Sequence, residues 1–226
     1  MSPLEIVLIS VLGATIGGFI IYIFAVKTNR NIKLGYFDSI NKEPIQGQIV
    51  FFGDSLTDFF PIHEFFPNHT MYNRGIAADT TSQLLERMDN VIALQPKTIF
   101  LQIGTNDLGK GKKPPFIVKN IMKIAAQLQQ SIPGVKLYII SLYPINRKRK
   151  LLSFITCLIR TNKAILKTNQ LLKAACEKEK IPFINIHPLL TDKKGRFARD
   201  YTVEGLHLSG KGYEVISSAL RPYIDE

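Results

Sequence analysis

Five short apolar runs, separated by stretches with helical periodicity, constrain the fold of this 226-residue chain more than any other feature. The runs lie at residues 49–52, 70–72, 98–103, 136–141 and 182–186. Most lack a polar/apolar alternation, which is typical of strands buried on both faces of a parallel sheet. Intervening stretches such as 162–178 and 209–220 have the apolar spacing of helices. The order predicts an α/β protein: a three-layer α/β/α sandwich around a five-stranded, parallel, doubly wound sheet.

Small and polar residues follow these runs where each strand is expected to end. The four blocks are Gly53-Asp54-Ser55-Leu56, an isolated Gly75, Gly104-Thr105-Asn106-Asp107, and Glu204-Gly205-Leu206-His207 near the C-terminus. The carboxyl ends of parallel strands meet at one edge of an open sheet, and ligands bind at that edge. We therefore expect the first three blocks to lie close together.

The order Ser, Gly, Asn and His resembles the SGNH (GDSL) hydrolases, a family of esterases and lipases with a flavodoxin-like fold. The resemblance runs from about Gln48 to Ile224. It implies a nucleophilic Ser55 with His207 as its general base, since a serine hydroxyl is unreactive until a base removes its proton. The resemblance also implies oxyanion donors and supporting residues. The donors are the backbone N–H groups of Ser55 and Gly75 and the side-chain amide of Asn106, and the supporting residues are Asp54 and Asp107.

The third member of the triad departs from the family pattern. The family usually has an aspartate three residues before the histidine, and Glu204 stands there in this chain. Glutamate keeps the charge but is longer by one methylene, and some α/β-hydrolases use it in this role. Asp200 is an alternative, and a Ser–His pair without a third member is another.

Each of these residues also has an ordinary structural interpretation when taken alone. Ser55 suits a helix cap, Gly75 a turn, and Asn106 a turn residue that bonds its own backbone. The occurrence of all four blocks in order favours catalysis. The sequence thus predicts a serine esterase or lipase that forms an acyl-enzyme, acting on a lipid or lysophospholipid ester. The alternatives are an O-acetyl esterase or acyltransferase on a cell-envelope polysaccharide, and an inactive membrane-bound binding module. With no metal-ligand or nucleotide motif visible, we predict no metal and no cofactor.

An N-terminal apolar segment over residues 4–26 has the length of a membrane-spanning helix. We predict an anchor at 1–27, a linker at 28–47 and the hydrolase domain at 48–226. A cleaved signal peptide is the alternative, although no Lys or Arg precedes the segment. The basic residues that follow it place the domain in the cytoplasm by the positive-inside rule.

The formal net charge of +11 indicates an anionic partner or surface. No nucleic-acid-binding signature accompanies this charge, so nucleic acid is not the predicted partner. The basic run Arg147-Lys148-Arg149-Lys150 precedes apolar residues, a pattern that suits contact with an anionic lipid surface. A solvated loop that leads into a packed helix fits the same pattern.

Overall fold

The computed structural model describes residues 2–148, 153, 157 and 159–225. The chain divides into two compact units, Met1–Ile40 and Asn41–Glu226. The first unit is a single helix, α1 (Pro3–Ile40). The second unit contains the sheet and the candidate site.

The predicted parallel sheet is confirmed. Its strands are β1 (Ile49–Gly53), β2 (Met71–Gly75), β3 (Thr98–Gln102), β4 (Lys136–Ile140) and β5 (Phe183–Ile184). They lie in the order β2-β1-β3-β4-β5 and every pairing is parallel. Because the order reverses at β1, the strand that precedes Ser55 lies at the point where an open α/β sheet places its ligand site.

Helices separate the strands in the described part of the second unit. They are α2 (Ser55–Asp58), α3 (Ile62–Phe65), α4 (Thr81–Glu86), α5 (Asp89–Ile92), α6 (Thr105–Gly109), α7 (Pro114–Ser131), α8 (Asn162–Lys178) and α9 (Gly210–Ile224). Short 3₁₀ helices lie at His187–Leu190 and Arg199–Tyr201. Helix α8 has the bounds that the apolar spacing predicts.

The core has one half on each face of the sheet. On one face Val50 and Phe52 of β1 belong to a buried cluster with residues of α4, α7 and α8. On the other face Phe51 belongs to a cluster with residues of α9, and its ring stacks on Phe100 at a centroid distance of 5.0 Å. Alternate residues of a strand point to opposite faces of the sheet. Because both faces of β1 are covered, both sets of residues are buried and β1 is a continuous apolar run.

Helix α1 runs through the predicted anchor and into the predicted linker. The linker expected at 28–47 is helical as far as Ile40 and irregular only from Asn41 onward. The extent of the helix has a simple cause, since the first proline after the apolar segment is Pro44 and most residues before it tolerate a helix. Within the described residues, one helical stretch, Ser10–Ile40, is long and apolar enough to cross a membrane. A signal sequence near the N-terminus can also provide an apolar helix of this kind.

Candidate active site

Ser55 is the first residue of α2, directly beyond the carboxyl end of β1. Asp54 caps this short helix, and its Oδ1 accepts a hydrogen bond from the Leu56 N–H at 3.0 Å. Gly53 permits the close turn, because a Cβ there would lie 2.3 Å from the carbonyl oxygen of Gln102. The backbone N–H of Ser55 has no acceptor among the described residues, as is usual for the first turn of a helix.

His207 lies in a loop between the 3₁₀ helix at Arg199–Tyr201 and α9. The carbonyl oxygen of His207 accepts hydrogen bonds from Thr202 Oγ1 at 2.7 Å and from the Val203 N–H at 3.0 Å. Gly205 supplies the sharp turn with a φ of 99°, and a Cβ there would lie 2.2 Å from the Asn146 carbonyl oxygen. This turn therefore requires glycine.

The structure brings Ser55, His207 and Glu204 together in one hydrogen-bonded chain. Ser55 Oγ lies 3.0 Å from His207 Nε2, and His207 Nδ1 lies 2.6 Å from Glu204 Oε1. Glu204 Oε1 also accepts the backbone N–H of His207 at 3.1 Å, which compensates for the length of the glutamate side chain. With the ring proton on Nδ1, Nε2 is free to accept the serine proton.

Glu204, and not Asp200, contacts the imidazole. Asp200 is exposed, and its backbone oxygen accepts a hydrogen bond from Ser209 Oγ. Burial acts to raise the pKa of Glu204, but its hydrogen bonds to His207 and the charge of that ring outweigh burial. The pKa of Glu204 is consequently lowered, and the carboxylate is ionised at neutral pH.

Asn106 lies in the first turn of α6, after the left-handed Gly104 with a φ of 127°. Its Nδ2 donates to the carbonyl oxygen of Asp79 at 3.0 Å. The neighbouring Asp107 is buried and accepts hydrogen bonds from the hydroxyl and the backbone N–H of Thr81, at 2.6 and 2.9 Å. Asp107 thereby joins the start of α4 to the first turn of α6, which carries Asn106.

Gly75 does not have the free N–H that an oxyanion donor needs. Its backbone N–H donates to Asn73 Oδ1 at 2.9 Å. The glycine has a packing role instead, because a Cβ at Gly75 would lie 2.2 Å from the backbone nitrogen of Asp58. The close approach of β2 to α2 therefore explains why residue 75 is a glycine. The predicted oxyanion donor, the Gly75 N–H, is instead occupied by its hydrogen bond to Asn73.

Ala78 has the free backbone N–H that Gly75 lacks, and the sequence did not indicate it. This N–H has no acceptor among the described residues, and the residue adopts a left-handed φ of 68°. Its segment lies beside the site, since the Ala77 N–H donates to Asp58 Oδ2 at 3.1 Å and Asp79 accepts from Asn106. Alanine seldom adopts such a φ, so no local sequence signal was available.

Asp54 is buried behind the nucleophile. Burial raises the pKa of Asp54 to about 7, against the opposing effects of the Leu56 N–H, His207 and Arg160. Its Oδ2 atom has no hydrogen-bond partner among the described residues. A half-satisfied, buried carboxyl of this kind favours its neutral form.

The remaining predictions from the sequence concern contact with an anionic lipid surface and the absence of a metal. Arg149 and Lys150 lie outside the described residues, so the basic run at 147–150 is only partly described. Within the described ranges, no group of three or more His, Cys, Asp or Glu side chains is arranged to hold a metal ion.

Comparison with known proteins identifies the family. The GDSL-like Lipase/Acylhydrolase family matches residues 51–215, a range that includes every block described above. The chain belongs to this family. GDSL-like acylhydrolases are esterases, so the chain is a hydrolase of the esterase type.

Solved structures share this fold. A protein from Streptococcus pneumonia named as a platelet activating factor is 28% identical, with a TM-score of 0.83 over 92% of this chain and 98% of that one. A GDSL-like lipase from Bacteroides thetaiotaomicron is 22% identical, with a TM-score of 0.75 over 85% of this chain and 97% of the other. The second likeness concerns the fold alone.

Among curated proteins, the chain is similar to N-acylneuraminate cytidylyltransferases. The relative from Streptococcus agalactiae serotype V is 26% identical over 92% of this chain and 46% of its own length. One from Escherichia coli is 24% identical over 84% of this chain and 42% of its length. The chain thus spans about half the length of the curated relatives that it matches.

Proposed function

We propose that this GDSL-like acylhydrolase is a serine esterase that works through an acyl-enzyme. Ser55 is the nucleophile, His207 the general base, and Glu204 the carboxylate that orients the imidazole. The observation that carries the proposal is the continuous chain from Ser55 Oγ to His207 Nε2 and from His207 Nδ1 to Glu204 Oε1, at 3.0 and 2.6 Å. This is the relationship between nucleophile, base and orienting group that a catalytic triad requires.

The reaction follows from these contacts. His207 Nε2 takes the Ser55 proton as Oγ bonds to the ester carbonyl carbon, and the carbonyl π electrons move onto oxygen. The intermediate then re-forms its carbonyl and expels the alcohol, which receives the proton from His207. Water, activated by the same imidazole, attacks the acyl-enzyme and releases the carboxylic acid and Ser55.

The developing oxyanion requires fixed donors at the carboxyl edge of the sheet. We assign the Ser55 N–H, the Asn106 side-chain amide and, in place of Gly75, the Ala78 N–H to this role. The Ser55 and Ala78 N–H groups have no acceptor among the described residues. Such preorganised donors contribute most in the transition state, and loss of one lowers kcat by about 10²- to 10³-fold.

An exposed aromatic side chain beside the base favours an ester with an apolar acyl group. Phe59 is 53% exposed, and its ring centroid lies 5.4 Å from that of His207. Val203, next to Glu204, is 48% exposed. Apolar side chains at the entrance of a site are suited to bind an acyl chain, so we propose a lipid or lysophospholipid ester as substrate.

A sugar ester is the second candidate, and the curated relatives favour it. Those proteins are named for N-acylneuraminate, an acylated sugar acid. An O-acetyl group on such a sugar has the same reacting carbonyl and needs no long acyl pocket. Short esters would then be better substrates than long ones.

We further propose that residues 4–26 anchor the enzyme in a membrane, with the domain on the cytoplasmic side. The exposed apolar side chains of α1, among them Leu12, Ile20 and Phe24, support the anchor. Lys27, Arg30 and Lys33 follow the apolar stretch and support the orientation. Reporter fusions at the C-terminus test the orientation, and reporter activity outside the cell would contradict it.

The direct test labels and assays the full chain in detergent. A fluorophosphonate probe is expected to modify Ser55, located by peptide mass spectrometry, and p-nitrophenyl acetate, butyrate and octanoate report hydrolysis. Ser55→Ala should abolish both signals, whereas Ser218→Ala, on an exposed part of α9, should retain them. Hydrolysis that survives Ser55→Ala would overturn the proposal. An inactive wild-type chain, folded by circular dichroism and unlabelled, would support the binding-module alternative.

A further inference from the structure

Arg160 reaches the loop of Asn106 from a distant part of the chain. Its Nε donates to the Thr105 carbonyl oxygen at 3.0 Å, and its Nη2 donates to Asn106 Oδ1 at 2.9 Å. The residue is half-buried. Its guanidinium packs on Gly109, where a Cβ would lie 2.4 Å from the guanidinium carbon. A close fit at this point keeps the arginine against the first turn of α6.

Contacts with Arg160 and with the Asp79 carbonyl oxygen together fix which way the Asn106 amide faces. A guanidinium group can only donate hydrogen bonds, so the atom of Asn106 that faces it must be the oxygen. The Nδ2 atom therefore points away from Arg160 and places one hydrogen on the Asp79 carbonyl oxygen at 3.0 Å. The second Nδ2 hydrogen has no acceptor among the described residues.

The Asp79 carbonyl oxygen also favours Nδ2 on its side, so two contacts hold the orientation of the amide, and Arg160 supplies the charged one. Rotation by 180° exchanges the oxygen and the nitrogen, and the flipped amide would present its oxygen to the oxyanion and repel it. The charged donor on Oδ1 opposes this rotation, since charge-assisted hydrogen bonds are about twice as strong as neutral ones. A cation on Oδ1 also polarises the amide, which makes its N–H groups stronger donors.

We propose that Arg160 is a positioning residue for the oxyanion site. It holds the Asn106 amide so that the free Nδ2 hydrogen faces the acyl oxygen during hydrolysis. The inference rests on the proposed esterase function, and it assigns Arg160 a role through Asn106 without contact to the substrate.

A double-mutant cycle on the full chain in detergent tests the proposal, with p-nitrophenyl butyrate as the probe. Arg160→Met keeps the length of the side chain and removes both donors. It is expected to lower kcat by about 10- to 100-fold with KM changed by less than about twofold, because the amide acts mainly in the transition state. In the Asn106→Ala background, Arg160→Met should cause no further loss. Arg160→Lys, which keeps the charge but not the two-point contact, should have an intermediate kcat.

Gly109→Ala provides an independent route to the same result. The added Cβ would displace the guanidinium, so this variant should lower kcat in the wild-type background and not in the Asn106→Ala background. It also keeps the test informative if Arg160→Met folds poorly by circular dichroism. Arg196→Met is the matched control, because Arg196 pairs with Asp192 in a different, partly exposed loop and should leave kcat unchanged.

The outcomes separate this inference from the proposed function. Equal losses of kcat in the wild-type and Asn106→Ala backgrounds would overturn the positioning role while Ser55 remains essential. A rise in KM at constant kcat would also overturn it, since that result indicates direct binding of substrate by Arg160. Activity that survives Ser55→Ala would instead reject the esterase mechanism itself.

Discussion

Asp79 and Arg87 form a buried ion pair, with Arg87 Nε 2.7 Å from Asp79 Oδ2. The same guanidinium donates from Nη1 to the Arg74 carbonyl oxygen and from Nη2 to the Gly53 carbonyl oxygen, both at 3.0 Å. One arginine therefore joins the ends of β1 and β2 to the turn that carries Ala78. This turn also holds Asn106, because the carbonyl oxygen of Asp79 accepts a hydrogen bond from the Asn106 side-chain amide.

Removal of Arg87 should strongly destabilise the domain. Arg87→Met removes the guanidinium from the buried Asp79 carboxylate, and breaking a buried ion pair by loss of one partner costs about 3–5 kcal/mol. Chemical denaturation should show a lower free energy of unfolding, and Arg196→Met should change it little because the Arg196–Asp192 pair is partly exposed. A loss no larger than that of the control would show that the buried pair contributes little to stability.

Neutralising Glu204 should lower turnover with little effect on folding. Glu204→Gln removes the charge that stabilises the imidazolium, and we expect kcat to fall by about 10²- to 10⁴-fold in the ester assay. Glu204→Asp should be less impaired, because it keeps the charge but shortens the reach to Nδ1. Asp200→Asn serves as the control and should behave as wild type. A larger loss in Asp200→Asn than in Glu204→Gln would make Asp200 the third member.

Asp54 should make stability depend on pH between about 4 and 7. Its pKa is near 3.8 when unfolded and about 7 when folded, so the folded state holds the proton more tightly. The carboxyl therefore disfavours folding progressively as the pH rises through this window. Asp54→Asn cannot ionise, so the melting temperature of wild type relative to this variant should fall from pH 5 to pH 8. Parallel melting curves across that range would contradict the raised pKa.

Phe59 should influence which acyl chains are hydrolysed. Phe59→Ala removes apolar surface beside His207, and kcat/KM for octanoate should fall about 10-fold relative to that for acetate. Leu189→Ala, at an exposed apolar residue in the 3₁₀ helix at His187–Leu190, is the matched control and should not change the ratio. If acetate and octanoate are affected equally, Phe59 does not contact the acyl chain, and the sugar-ester alternative gains support.

Most of the fold was predictable because its signals are local. Most strands are short apolar runs, with β2 the exception because it continues through Asn73 and Arg74, and α8 begins and ends at the residues that its apolar spacing predicts. The sheet-edge rule then places Ser55 and Asn106 near each other without any knowledge of distant contacts. The prediction that His207 contacts Ser55, 152 residues away in the sequence, rested on the family resemblance and not on the periodicity of the sequence.

The parts that could not be predicted depend on contacts between distant residues. An isolated glycine in a sequence permits either a left-handed turn or close packing, and Gly75 at the end of β2 serves the second purpose. The left-handed Ala78 and the hydrogen bond of Arg160 to Asn106 have no local signature in the sequence. Helix α1 extends into the predicted linker because the residues after the apolar segment are compatible with a helix until the approach to Pro44.

The position of β1 has a consequence for how the enzyme would lose activity on warming. This strand is paired on both sides, with Gly53 beside Gly75 of β2 and beside Gln102 of β3. Its amide hydrogens should exchange with solvent only when the whole domain opens. The loop of His207 has the isolated bridge between Thr202 and Leu208 and a few hydrogen bonds, together with the buried side chains of Leu206 and Leu208. Because it lacks the two-sided strand pairing of β1, we expect it to open at a lower free energy than β1. Heat would thus separate the base from a nucleophile that is still folded, and inactivation below the melting temperature would be reversible on cooling.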